Sequence, residues 1–330
     1  MRLNYGIMRI LQTVSGLAKV EKGSVLSIGN FDGVHIGHQR IAASVCRIAK
    51  ERGAAAIAMT FEPHPVAILH PEKTPGVLTP LALKRHLLSQ EGLDCLIILR
   101  DSAELLNLSP SAFVKKFLMT NIKPAVVVEG EDFNFGSARQ GTVDSLKQFG
   151  SKNGFEVVVC PAQKIELSTG QSVRVSSTMI RYMLESGHVA DAAAALSRPY
   201  RVAGEIIAGR GIGKQHGYPT LNMKSPAQII PSEGVYAGRV ATAESCQQVC
   251  TVAAELPAVF SIGQARTYGQ DFGLLIEAHI LLEGFKRPNG KWMVMDFVSR
   301  IRSQHKFRTE EKLVEQIAKD CRKAKEILAD

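Results

Sequence analysis

Between Ser24 and Cys160, short apolar runs alternate with longer stretches of helical period, and this alternation limits the fold more than any other feature of the chain. VLSIGN precedes 36–52, AAAIAMTF precedes 80–90, CLIIL precedes 110–120, AVVVEG precedes 140–152, and FEVVVC closes the series. Strands so continuously apolar are buried on both faces, which predicts an α/β domain with a doubly wound, mainly parallel sheet. The texture changes at Ser197-Arg198-Pro199. After SSTMIRYMLESGHVADAAAAL, read as one or two helices, come the β-type runs YRVAGEII, GVYAGRVA, TVAAELPAVFSI, LLIEAHILL and KWMVMDFV, separated by Gly, Pro and Asn. They predict a small antiparallel barrel or sandwich. Thr309 as N-cap, Glu310 and Glu311 in the first turn, and Leu313, Ile317, Cys321, Ala324 and Leu328 on one face predict a C-terminal helix docked on that barrel. A length of 330 residues suits two cores, and the expected domains are 1–187 and 188–330.

Composition bears on partners. With 45% hydrophobic and 22% charged residues the chain is neither disordered nor fibrous. No apolar run approaches the ~20 residues of a membrane-spanning helix, and the N-terminus lacks the apolar centre of a signal peptide, so no membrane partner and a cytoplasmic location are expected. The six cysteines are scattered through apolar stretches, with no disulfide framework, and Cys246 and Cys250 have no second pair to complete a zinc site. A net charge of +9 points to an anionic partner, whether nucleic acid, a nucleoside triphosphate or a flavin phosphate. The aromatic residues form no basic stacking stripe, which argues against nucleic acid. A monomer or transient homo-oligomer is expected.

The first candidate site is SVLSIGNFDGVHIGHQRIA. Gly29, Gly33 and Gly37 are expected to let the backbone turn sharply beside a ligand, and a helix beginning near Ile36 aims its amides at whatever binds there. His35 and His38 then share one helix face and can donate to phosphate oxygens. Asp32, His64 and Asp132 each follow a strand end, where parallel sheets place ligands, although Asp32 and His64 could merely cap turns. Ser177 and Thr178 at a helix start, with Arg181 one turn on, suit a triphosphate, and the run Ser176-Ser177-Thr178 equally suits a simple N-cap.

GNFDGVHIGHQ resembles the nucleotidylyltransferase signature, and its literal HIGH also occurs in class I aminoacyl-tRNA synthetases. TFEPHP (60–65), GEDFNFG (130–136) and VSSTMIR (175–181) resemble, in order and spacing, the remaining motifs of the FMN adenylyltransferase half of bacterial bifunctional riboflavin kinase/FMN adenylyltransferases, and a KMSKS-like loop is absent. The resemblance implies a nucleotidylyltransferase-type N-terminal domain that binds nucleotide and flavin through Gly29, Phe31, Asp32, Gly37, His64, Asp132, Ser177 and Thr178. It places His35, His38 and Arg181 at the transferring phosphate.

The second candidate site is AGRGIGKQHGYPTLNM. Gly209, Gly211, Gly213 and Gly217 make an arch whose amides can surround phosphates beside Lys214; a plain Gly-rich hairpin loop is the alternative. Thr220 and Asn222, two apart in a strand, face one side and can hold Mg²⁺ with phosphate oxygens and waters. The string G-K-x-x-G-Y-P-T-x-N resembles the riboflavin kinase motif. In that family a downstream Glu takes the proton of the ribityl hydroxyl that attacks the γ-phosphate, and Glu277 in LLIEAHILL matches it. Pairing with an arginine would be its structural explanation. The resemblance thus implies Mg²⁺ and ATP, with riboflavin, FMN and FAD as substrates and products.

This half also departs from the family pattern at SIGQARTY (261–268), at EGFKRPNGKW (283–292) and at Gln304, which stands in an acidic position. ILRDSAELL lacks an aromatic that is common in the first half. Two alternatives follow: an FMN adenylyltransferase whose barrel only binds flavin, and a flavin- or RNA-binding regulator that keeps the fold. The regulator predicts damaged phosphate motifs, whereas HIGH, PTLN and Glu277 are intact.

Overall fold

A computed structural model describes residues 8–12, 14–100, 102–209, 211–267, 270–282 and 290–329. The chain divides into two compact units, Met1–Pro75 with Lys84–Lys164, and Gly76–Leu83 with Ile165–Asp330.

The first unit is built on a six-stranded sheet of β1 (Arg9–Leu11), β2 (Val25–Ile28), β3 (Ala56–Phe61), β4 (Cys95–Leu99), β5 (Val126–Gly130) and β6 (Glu156–Cys160). Their order is β1-β4-β3-β2-β5-β6, and every pairing is parallel. β2, β3 and β4 are buried along their whole length. Leu26, Ile28, Ile57, Met59 and Ile97 pack with Phe113, Phe117, Phe135 and Leu146, while the alternating Val25, Ala56 and Ala58 are equally buried, as a sheet covered on both faces requires. Helix α1 (Ile36–Arg52) follows β2 directly and buries Ala42, Val45, Ile48 and Ala49. It ends at Gly53, whose φ of 62° suits the left-handed cap.

Two features of this unit differ from the sequence reading. β1 is an edge strand of three partly exposed residues, too short to carry a periodic signal. The helix expected over 110–120 is a short turn, Pro110–Ala112, that continues as a π-helix over Phe113–Ile122.

The second unit holds a closed, antiparallel six-stranded barrel of β7 (Tyr200–Ile207), β8 (Leu221–Met223), β9 (Gly234–Ala243), β10 (Leu256–Thr267), β11 (Gln270–Ile280) and β12 (Trp292–Arg302), ordered β7-β8-β11-β10-β9-β12. Tyr236, Phe260 and Phe297 fill its interior, with edge-to-face ring centroids 5.3 and 4.9 Å apart. The run TVAAELPAVFSI is not one strand: Thr251 closes a short helix, Cys246–Thr251, capped by Ser245, and β10 begins at Leu256. Helices α2 (Ser177–Glu185) and α3 (Val189–Leu196) belong to this unit. The terminal helix α4 (Glu310–Leu328) starts at Thr309, whose hydroxyl accepts from Lys312 N–H, and it packs Cys321, Ala324 and Leu328 on Val235, Ala237 and Val259. Of the family departures, Tyr268 and 283–289 lie outside the described residues. All six cysteines are free thiols.

Candidate active sites

In the first unit, β2 delivers the chain into a tight loop in which three left-handed positions occur within four residues: Phe31 (φ 48°), Gly33 (φ 89°) and Val34 (φ 41°). The turn was expected of glycines, but only Gly33 among Gly29, Gly33 and Gly37 is left-handed. A β-branched residue such as Val34 is strained there, and it is held by almost complete burial and by the Gln39 side chain, which donates to its carbonyl at 2.9 Å. Gly37 matters for space, since a Cβ there would stand 3.1 Å from the His35 ring.

The loop ends on His35, the N-cap of α1, whose Nδ1 accepts from His38 N–H. With Nδ1 accepting, the proton of the neutral ring is on Nε2. The two imidazoles are stacked, centroids 3.7 Å apart, and the Phe31 ring meets His38 edge-on at 5.3 Å. Two imidazoles and a helix N-terminus therefore share one locus, a setting suited to an anion.

His64 follows β3 as the cap of Pro65–Leu69, its Nδ1 accepting from Val66 N–H at 3.1 Å, and its Nε2 lies 2.9 Å from the Asn30 side-chain amide. The cap reading of His64 is thus realised, and the same ring also braces the histidine loop. Asp132 lies past β5 and lines a 260 Å³ cavity with Glu131, Asn134, Thr142 and Lys147. Asp32 is buried, and its charge, with that of Glu62, acts on the nearly buried Lys84. Burial pushes the Lys84 ammonium below its usual range, and the two carboxylates work against that shift. Lys84 was missed in the sequence because a lysine in an ordinary amphipathic helix carries no motif.

Ser177, Thr178 and Arg181 fall in the second unit. Ser176 is the N-cap of α2, accepting from Met179 N–H at 3.2 Å, so the cap reading of the run Ser176-Ser177-Thr178 is realised at Ser176, and Ser177 and Thr178 follow it in the first turn. Arg181 Nε donates to the Gly76 carbonyl at 2.7 Å.

In the barrel, antiparallel register makes the site. Ser261 on β10 stands opposite Glu277 on β11, and Glu277 opposite Asn222 on β8, so three strands contribute one polar row. Thr220 Oγ1 donates to Glu277 Oε1 at 3.4 Å, and the Gln304 amide donates to Ser261 Oγ at 2.9 Å at the end of the row. Two cavities meet at Thr220. One of 280 Å³ is lined by Glu277, Ser261, Gln304 and His305, and one of 760 Å³ by Asn222, Gly209, Arg322 and Lys325. A Cβ on Gly209 would stand 2.2 Å from the Asn222 amide, so glycine is what allows Asn222 its place.

The glycine arch is more ordered than a loop. Ile212–Gln215 forms a helical turn and Tyr218 N–H donates to the Gly213 carbonyl at 2.8 Å, while Gly211 and Gly217 take φ of 76° and 83°. The Lys214 side chain lies outside the described residues. His279, two residues after Glu277 on the same strand face, donates from Nδ1 to the Pro219 carbonyl at 2.9 Å and so ties β11 to the Pro219-Thr220 turn. Its signal was the E-x-H spacing. Arg302, paired with Asp320 through both carboxylate oxygens, lines the smaller cavity, but its partner is distant in sequence.

Two families match the chain in tandem, FAD synthetase over residues 17–179 and riboflavin kinase over residues 196–328. The bifunctional riboflavin kinase/FMN adenylyltransferase of Buchnera aphidicola (subsp. Schizaphis graminum) is 30% identical over 315 residues, spanning 95% of this chain and 96% of that protein. The chain belongs to the bifunctional riboflavin kinase/FMN adenylyltransferase family. The Bacillus subtilis protein of the same name is 32% identical over 307 residues, 91% of each chain. A solved structure described as a macrolide-efflux protein from Streptococcus pneumoniae is similar over 96% of this chain and 97% of that one, with a TM-score of 0.77 and 26% identity. Among the described residues, no helix is long and apolar enough to cross a membrane. The FAD synthetase match contains His35, His38, His64, Asp132, Ser177 and Thr178 and stops short of Arg181, and the riboflavin kinase match contains Thr220, Asn222 and Glu277.

Proposed function

We propose that the chain makes FAD in two steps. Riboflavin is phosphorylated by ATP in the barrel to give FMN, and FMN is adenylylated by a second ATP at the histidine loop to give FAD and pyrophosphate. The observation that carries this reading is the tandem family match, one match over each of the two constellations. Functionally the chain divides at 187/188 into an FMN adenylyltransferase domain and a riboflavin kinase domain.

In the kinase step the ribityl hydroxyl attacks the γ-phosphorus, ADP leaves, and the hydroxyl proton passes to Glu277. The Glu277 carboxylate is fixed by Thr220 and by its place in the cross-strand row. Thr220 Oγ1 and the Asn222 amide oxygen are hard oxygen donors beside a carboxylate, a set that fits Mg²⁺, and they would hold it. The ion would supply charge neutralisation on the phosphates. Glycines 213 and 217 and Lys214 would surround the phosphate chain. Gln304, neutral where the family has an acid, is engaged by Ser261 and the Ile262 carbonyl, which supports a role in shaping the barrel end.

In the transferase step a phosphate oxygen of FMN attacks the α-phosphorus of ATP. His35 and His38 donate to the oxygens on which charge builds, with no covalent enzyme intermediate. Gly29, Phe31, Asp32, Gly37 and His64 shape the loop, Asp132 binds at the neighbouring strand end, and Ser177, Thr178 and Arg181 serve the triphosphate. Six free thiols suit a reducing compartment, so we place the enzyme in the cytoplasm, without nucleic acid or membrane as partner, as a monomer or transient homo-oligomer. The test is incubation with Mg²⁺, ATP and either riboflavin or FMN, with flavins resolved by chromatography. Both FMN and FAD should form from riboflavin. A chain that converts FMN to FAD but never makes FMN would be an adenylyltransferase alone.

A further inference from the structure

Glu129 is a carboxyl with only 2% of its surface exposed, in the middle of a parallel sheet, and no step above uses it. It lies on β5 at the one place where the sheet changes direction: the order β1-β4-β3-β2-β5-β6 extends from β2 to one side through β3 and to the other through β5. Ligand crevices of open α/β sheets form at such a point, beyond the carboxyl ends of the strands. The two central strands part there. β2 pairs with β5 only at Val25↔Val126 and Leu26↔Val127, yet β2 stays registered with β3 to Ile28↔Met59, and β5 with β6 to Gly130↔Cys160.

On the β3 side, Gly29 N–H donates to the Met59 carbonyl at 2.9 Å. The alternate amide, Ile28 N–H, faces β5, and it donates to Glu129 Oε1 at 2.7 Å. Burial pushes the Glu129 carboxyl well above the usual carboxylate range, only partly opposed by the Ile28 hydrogen bond.

We propose that Glu129 is a positioning residue for adenylyl transfer, its carboxyl replacing a strand carbonyl where β2 and β5 part and so fixing the last residue of β2 ahead of the His35–His38 loop. This rests on the adenylyltransferase reading of that loop. An apolar side chain of similar size leaves Ile28 N–H without this acceptor or lets the strands close, and either outcome moves the loop relative to Asp132. Displacements of about 1 Å at a reacting site can cost on the order of 100-fold in rate.

The test compares Glu129→Leu and Glu129→Gln in the full chain, with kcat and KM for FMN adenylylation and for riboflavin phosphorylation measured on the same preparations. Leu should lower adenylylation kcat by about 10- to 100-fold with phosphorylation unchanged, and Gln, which retains the acceptor, should restore kcat to within about 3-fold of the native chain. A Leu chain with native adenylylation kcat, or a Gln chain as slow as the Leu chain, overturns the proposal. Amide exchange at Ile28 in the native chain gives a readout that needs neither variant: protection comparable to that of Leu26 is expected, and rapid exchange overturns the assignment. If the native chain makes no FAD, the adenylyltransferase reading has failed, and the exchange at Ile28 still decides whether Glu129 holds the strand.

Discussion

The two units reach phosphate chemistry by opposite means. In the parallel-sheet unit the two histidines come from one short stretch: a strand ends, the chain makes three left-handed positions, and a helix begins with its two imidazoles stacked. Topology supplies the crevice and local sequence supplies the donors. In the barrel no stretch is sufficient, because Ser261, Glu277 and Asn222 meet only through the register of three antiparallel strands. The first kind of site is sensitive to how one loop is held, the second to how strands align.

The largest expected effect comes from cutting the two apart. A fragment 188–330 keeps all six barrel strands and α3, whose Val189, Ala192, Ala195 and Leu196 are buried. It loses the hydrogen bond from Gln228 to the Leu78 carbonyl and that from Arg300 to the Ser186 carbonyl. It should fold with a lower Tm than a chain that retains those partners, phosphorylate riboflavin, and make no FAD at all. A folded fragment without kinase activity at saturating MgATP would show that the barrel is not a kinase on its own.

Next in size is Glu277→Gln, which preserves shape and removes the proton acceptor. It should slow riboflavin phosphorylation by ~10²–10⁴ with little change in riboflavin affinity, measured by steady-state kinetics. An unchanged rate would mean that the base is elsewhere or that the hydroxyl needs none. His38→Ala should slow FMN adenylylation by ~10²–10³ and leave the kinase reaction alone, and equal loss in both would dissolve the distinction between the sites.

How much of this was legible follows the same division. The five apolar strands from β2 to β6, α1 starting at Ile36, and Thr309 as a helix cap could be read because strand burial, helix starts and caps are local. His35, His38, Thr220, Asn222 and Glu277 could be singled out by motif. That Glu277 lies opposite both Ser261 and Asn222 could not be read, since register depends on the closure of the whole barrel. Glu129 escaped for a related reason: in the run AVVVEG it looks like the polar end of a strand, and only the parting of β2 from β5 turns it inward. Val34 and Phe31 in left-handed conformations contradict local preference, and they mark the loop as strained in a way composition does not.

The smallest expected effect sharpens the contrast on the stability side. The unfolded chain releases the Glu129 proton near the ordinary 4.5, whereas the folded chain keeps it to a higher pH, so between those values the unfolded state binds fewer protons and stability falls as pH rises. Glu129→Gln has no such proton to lose. Its Tm relative to the native chain should therefore rise by a few degrees as pH is raised from about 4.5, with no comparable trend near it or below. Parallel Tm–pH curves would contradict the upward shift of the Glu129 carboxyl.

The most direct test of two sites in series is complementation. Each of His38→Ala and Glu277→Gln is given riboflavin, Mg²⁺ and ATP, alone and as an equimolar mixture, and FAD is followed by chromatography. The account requires that His38→Ala stop at FMN, that Glu277→Gln make little of either product, and that the mixture make FAD, because free FMN from one chain is adenylylated by the other. A mixture that makes no more FAD than the better single variant would contradict it.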